Sequence, residues 1–181
     1  MDIHLHIRLR GFTLLEMLIS LTVAAIIITS AIPALHELIQ RNRLTTTINT
    51  FVTHLHYSRS EAIKRGARAV MCRSDDGENC SRTNGWEEGW IIFADYNANR
   101  EFDGNDELLQ VKQGFENDIN ITSGRRRRIV YQANGTSPGT NGTYIFCSPD
   151  YPEYARAIIL SNLGRPRLSK NRPNGSDLGC G

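Results

Sequence analysis

Nine basic side chains crowd residues 119–181 of this 181-residue chain: Arg125, Arg126, Arg127, Arg128, Arg156, Arg165, Arg167, Lys170 and Arg172. Such residues suit phosphate chemistry, because the planar guanidinium donates two parallel hydrogen bonds to one anion. In Gly164-Arg165-Pro166-Arg167 the glycine permits a tight turn and the proline stiffens the loop. Arg165 and Arg167, two apart in an extended segment, project to one side. Lys170 and Arg172 lie close behind them in the chain. The bland alternative is a polar hairpin carrying incidental surface charge. Arg125 to Arg128 cannot share one face of a strand, so two are expected to point each way. That run reads either as a solvated edge that discourages strand pairing or as a second phosphate patch.

Two other constellations carry oxygen chemistry. Asp95, Asn97 and Asn99 stand at positions 1, 3 and 5 of a calcium-loop pattern, with Asp106 at position 12. Arg100 occupies the position that requires glycine, and Asp106 is not the bidentate glutamate. A plain Asx-rich turn is therefore expected, with calcium as the weaker candidate. The other is Glu16, the single charge in the apolar run 12–35. A carboxylate in the middle of a membrane helix costs roughly 2.5–3.5 kcal/mol, less near its end, and so needs a partner. No histidine stands with a serine or cysteine and an acid in a catalytic motif, and no zinc or P-loop spacing occurs. No enzyme activity and no cofactor are expected. His36, His54 and His56 read as surface or packing residues.

The elements that must position these residues begin with that run. Twenty-four residues in a helix reach roughly 36 Å, enough to cross a bilayer. Arg8 and Arg10 before it keep the N-terminal flank cytoplasmic and send the rest outward. Helical periodicity continues through Ile48, Phe51, Val52, Leu55 and Ala62 on one face. Gly66 after Lys64-Arg65 ends the helix. One helix is expected over 13–65. Beyond it lie β-like runs at 68–73, 90–94, 108–112, 119–122, 128–132, 143–147 and 156–160. Asp76-Gly77, Asn84-Gly85, Asp103-Gly104, Asn134-Gly135 and Asn141-Gly142 mark turns between them. Residues 136–143 read as a mobile loop. This order predicts an α+β fold, a long helix packed on an antiparallel β-sheet head.

Charge is segregated along the chain. Residues 71–118 hold twelve acidic against four basic side chains, and residues 119–181 nine basic against three acidic. Opposite poles on the head are expected. The four cysteines favour two disulfides in an oxidising compartment. Cys72–Cys80 would close a local loop and Cys147–Cys180 would staple the tail, with the other connectivities left open.

Arg10-Gly11-Phe12-Thr13-Leu14-Leu15-Glu16 resembles the class III signal of type IV pilins and type II secretion pseudopilins. The resemblance implies cleavage between Gly11 and Phe12 by a prepilin peptidase and N-methylation of Phe12. It implies that Glu16 neutralises the N-terminal amine of a neighbouring pilin during assembly. Pro33 stands where such helices usually carry a loosening proline. The 57–62 helix end, Trp86-x-x-Gly89-Trp90 and the closing 156–160 strand into Gly164-Arg165 resemble the GspH/FimT group of minor pilins and pseudopilins. Gly164, Arg165 and Arg167 are similar to the Gly-Arg-x-Arg motif of FimT-type minor pilins. That similarity implies binding of double-stranded DNA in natural transformation, through phosphates and largely without sequence preference. Lys170, Arg172 and Arg125 to Arg128 join the candidate site on charge alone.

The expected organisation is a leader (1–11), a membrane and filament-core helix (12–35), an amphipathic helix (36–66) and a β-rich head (67–181). The protein would sit in the inner membrane of a Gram-negative-type bacterium with its head in the periplasm, then enter a surface pilus. The alternatives are a structural minor pilin that primes assembly and a minor pseudopilin of type II secretion.

Overall fold

The computed structural model describes residues 11–83, 85–115 and 119–180. The leader residues before Gly11, with Arg8 and Arg10, and the Asn84 half of the Asn84-Gly85 turn lie outside the described residues.

Helix α1 (Leu14–Arg65) is continuous through Pro33. Thr13 caps its start: the Thr13 hydroxyl accepts the Glu16 amide N–H at 3.2 Å, and Thr-x-x-Glu is the capping-box spacing. Glu16 thus stands in the first turn, where the helix dipole favours an anion. Gly66, at φ 62°, adopts the left-handed conformation of a C-terminal cap. Among the described residues α1 is the one helix long and apolar enough to cross a membrane. The chain divides into two compact units, 1–39 and 40–181. In the first, the large apolar side chains stand outward, from Phe12 to Ile39.

The second unit holds all the buried side chains among the described residues. It contains two four-stranded sheets, every pairing antiparallel. The first has the order β3-β2-β1-β5, built from β1 (Arg68–Arg73), β2 (Gly89–Asp95), β3 (Glu107–Gln113) and β5 (Arg128–Tyr131). The second has the order β4-β6-β7-β8, from β4 (Asn120–Thr122), β6 (Gly142–Ser148), β7 (Tyr151–Leu160) and β8 (Pro166–Ser169). The expected stripe of α1, extended by Leu44, meets Met71, Trp90, Ile92, Tyr144, Phe146, Ile158 and Leu160 from both sheets. The outer face of the first sheet buries Val70, Cys72, Ile91, Phe93 and Val130 under Cys80 and Phe102. This second cluster is why β2 is buried along its whole length.

The buried indoles show how polar atoms are satisfied in this core. Trp86 donates its Nε1–H to Ser123 Oγ and the Arg126 carbonyl, and Trp90 donates to His54 Nδ1 at 2.8 Å. His54 must be neutral at Nδ1 to accept. Burial lowers its pKa below the usual 6.5, and nearby Lys112 adds to the effect. The folded state therefore takes up this proton less readily than the unfolded chain. The stabilisation is complete above about pH 6.5 and is lost as pH falls through the depressed folded value. Thermal midpoints should drop between pH 7.5 and pH 5, and the drop should shrink in His54→Gln. Equal drops in both proteins would refute the assignment.

The antiparallel head is built as two sheets, because β6 and β7 pair with each other rather than with β5. Two expectations change. The segment after Gly164 is a strand, β8, paired with β7 in the register Ile159 to Arg167. Residues 136–143 are not loose: the Ser137 amide donates to the Asn162 carbonyl at 2.8 Å, and the Thr140 hydroxyl bonds both polar atoms of Val130. Arg128 of the basic stretch meets Glu101 of the acidic one, Nη2 to Oε1 at 2.6 Å.

Candidate functional site

The basic segment is built on the turn between β7 and β8. The Gly164 N–H donates to the Ser161 carbonyl at 2.9 Å, and the Ser161 N–H donates to the Arg165 carbonyl at 3.2 Å. The turn is thus closed in both directions. Gly164 has φ 71°, which a side chain would strain. A Cβ there would collide with the Gly135 carbonyl oxygen and stand 2.9 Å from Tyr131 Cε1. The glycine is therefore required twice, by conformation and by close approach.

Arg165 directly precedes β8 and Arg167 lies on it. Both are exposed, and Arg167 sits on the edge strand of its sheet. The two arginines named together from the sequence are thus together on a fixed backbone. Lys170 lines a cleft together with Glu153 and Asp177. Arg172 starts a second turn, its carbonyl accepting from the Gly175 N–H at 2.9 Å. The tail then returns to β6 through Cys147–Cys180, and Cys72–Cys80 ties the outer loop to β1.

The 125–128 run does not alternate as a strand, because only Arg128 belongs to one. Arg128 is engaged by Glu101, and Arg126 donates to the Gly139 carbonyl at 2.6 Å. Arg125 and Arg127 are exposed. The Arg126 side chain runs past Gly142, where a Cβ would lie 3.4 Å from its Cγ. Gly142 pairs with Leu160, which pairs with Pro166. Two strand spacings, about 10 Å, separate the two basic clusters here.

The calcium candidate folds onto itself. Asp95 accepts from the amides of Asn99 and Arg100 at 3.1 Å each. Asn97 Oδ1 accepts from the Asn99 amide, and Asp106 accepts from those of Tyr96 and Asp103. The oxygens are engaged by the loop's own amides, and no cluster of three or more metal-ligating side chains occurs among the described residues.

One residue was not singled out from the sequence. Arg59, on the polar side of α1, reaches the Asn134-Gly135 turn, with its Nε 2.9 Å from the Cβ position of Gly135. Its position depends on contacts 76 residues apart, and no local pattern reports those.

Comparison with known proteins agrees with this architecture. Residues 47–164 match the family described as type II transport protein GspH, and residues 8–32 match the prokaryotic N-terminal methylation motif. The pilin-like protein PilA1 of Thermus thermophilus is 31% identical over 99 residues, covering 55% of this chain and 56% of that protein. The chain thus spans about half the length of that relative. The type IV minor pilin FimU of Pseudomonas aeruginosa shares the fold in two crystal forms. One gives a TM-score of 0.56 at 23% identity, covering 72% of this chain and 90% of FimU. The other gives 0.54 at 21%, covering 69% and 91%. With the family match spanning more than half of its length and the methylation motif ahead of it, the chain belongs to the GspH family of pilin-like proteins.

Proposed function

We propose that this protein is a minor type IV pilin that binds double-stranded DNA through the Gly164–Arg172 segment and supports DNA uptake in natural transformation. It acts by binding, with no catalytic step. The observation that carries the reading is the pair Arg165 and Arg167, both exposed, one directly before the edge strand β8 and one on it, behind the Gly164 turn. Membership of the family supports other pilins as partners. The apolar helix and the methylation motif support processing by a prepilin peptidase at Gly11–Phe12, methylation of Phe12, and assembly through Glu16. In this reading the head lies in the periplasm until the subunit leaves the inner membrane for a surface filament.

Phosphate contacts carry no base information, so little sequence preference is expected. If Arg165, Arg167, Lys170 and Arg172 neutralise about four phosphates, log K should fall with log salt at a slope near −3.6 on duplex DNA. The test is fluorescence anisotropy of a labelled 20-bp duplex with the full-length chain in detergent micelles. A flat salt response would overturn the mechanism.

A second reading has its own observation. Leu163 and Leu168 flank the arginines and are 62% and 59% exposed, and apolar side chains mixed with arginine suit a protein interface. A structural minor pilin, or a minor pseudopilin of type II secretion, would use the same segment against a neighbouring subunit. Arg165→Gln with Arg167→Gln separates the two. DNA binding and transformation are lost with filaments intact in the first reading, whereas assembly itself fails in the second.

A further inference from the structure

Arg59 is half-buried on α1. Its Nε is fully enclosed and has no hydrogen-bond partner among the described residues. The residues at helical spacing around it are Leu55, His56, Ala62 and Ile63, which include no carboxylate. Glu61, the nearest acid along the chain, is already engaged by Lys64 and Arg65. Close enough to feel the Arg59 charge, the Tyr131 hydroxyl is enclosed and also lacks a partner among the described residues. The enclosed Nε–H thus has no partner, while the two terminal nitrogens of the guanidinium are not among the enclosed atoms and have no acidic neighbour on the helix, which leaves them open to an anion.

The placement indicates which anion. Arg59 packs on Gly135, and the Gly135 carbonyl packs on Gly164. With one glycine between them, the Arg59 Nε and the Gly164 backbone stand within about 10 Å by covalent geometry. The next residue is Arg165. Duplex DNA presents one charge per about 1.7 Å of axis, so a duplex lying over the Gly164 turn brings several phosphates within reach of both arginines without a special register. A compact acidic side chain would reach one of them only.

We infer that Arg59 is a further phosphate contact of the DNA site, approaching from the helix while Arg165 approaches from the β7–β8 turn. The inference rests on the DNA-binding reading and extends the site from the C-terminal segment onto α1. It also predicts that removing Arg59 leaves the fold at least as stable, since the charge has no protein partner to lose.

The test compares the full-length chain, Arg59→Gln, Arg59→Lys and the Arg165→Gln/Arg167→Gln pair in detergent micelles. The probe is a fluorescent 20-bp duplex across about 50–300 mM salt, with thermal midpoints alongside. Arg59→Gln should weaken binding about fivefold at 100 mM salt and reduce the magnitude of the log–log slope by about 0.9, with the midpoint unchanged or raised. Arg59→Lys, which keeps the charge, should restore the slope. Arg59→Gln with an unchanged slope overturns the inference, whether or not affinity falls, because a structural effect would not alter counterion release. If Arg59→Gln behaves as the parent while the Arg165/Arg167 pair is defective, this inference fails and the DNA reading stands. If the parent chain binds no duplex, both fall.

Discussion

Phe51→Ala is expected to destabilise the head by about 3–5 kcal/mol, the largest effect of any single truncation in the core. Phe51 is fully buried and lies at the centre of an aromatic cluster. Its ring centroid is 5.6 Å from Trp86, 5.4 Å from Trp90, 5.2 Å from Tyr144 and 5.2 Å from Phe146. Three of these contacts are edge-to-face, the arrangement that the aromatic quadrupole favours. Trp90 belongs to the first sheet and Tyr144 and Phe146 to the second, so one helix residue joins both. Truncation would leave a cavity lined by rings from three elements, which cannot all collapse inward together. A domain of this size has roughly 5–15 kcal/mol in total, so about a fifth or more of its stability should go. Urea titration followed by tryptophan fluorescence measures it directly. Phe51→Leu, which refills most of the space, should recover over half of the loss. A change below about 1 kcal/mol in Phe51→Ala would show that the sheets pack without this ring.

Gly164→Ala is expected to cost about 2 kcal/mol or more and to weaken DNA binding at least tenfold, although every arginine remains. Two effects combine. A left-handed φ strains any side chain by roughly 1–2 kcal/mol. The added Cβ also meets the Gly135 carbonyl and the Tyr131 ring, and the carbonyl is backbone that cannot swing aside as a flexible side chain would. The turn must shift, and it carries Arg165 and Arg167 with it. Gly66→Ala serves as the control. It has a similar φ, 62°, but open space around its Cβ, so it should show the strain alone and bind DNA normally. If Gly164→Ala binds as tightly as the parent chain, the arginines act as unplaced charges rather than as a positioned pair.

The regular part of the fold was legible because its signals are local. The helix announces itself through the stripe from Ile48 to Ala62 and its stop at Gly66, and seven strands through apolar runs between Asx-Gly turns. β8 escaped because Pro166, Arg167 and Ser169 are poor strand residues. Edge strands tolerate such residues, and here pairing with β7 supplies the structure that composition does not. The 136–143 segment misled for a related reason. Its serines and threonines have a loop's composition, yet the Thr140 hydroxyl bonds backbone atoms of Val130 on β5. The Arg125–Arg128 run looked uniform, and only tertiary contacts separate Arg128, bound to Glu101, from the exposed Arg125 and Arg127. The basic segment itself was legible from Gly164, Arg165 and Arg167. The approach of Arg59 was not, because helical spacing says only that it lies off the apolar stripe.

The tail disulfide has a mechanical consequence. Cys147–Cys180 closes residues 147–180 into a covalent ring anchored at β6, and Arg165 and Arg167 lie inside that ring. A tether pulling on Arg167 could peel β8 away from β7 one hydrogen bond at a time, the weakest loading direction for an edge strand. The ring limits how far such peeling can run. The shorter arm from Arg167 to Cys180 is about 13 residues, so its slack ends after about 45 Å of extension, and tension then passes through sulfur into the middle of the sheet. An oxidised head should yield once and hold, whereas a reduced one should go on unravelling from its C-terminus.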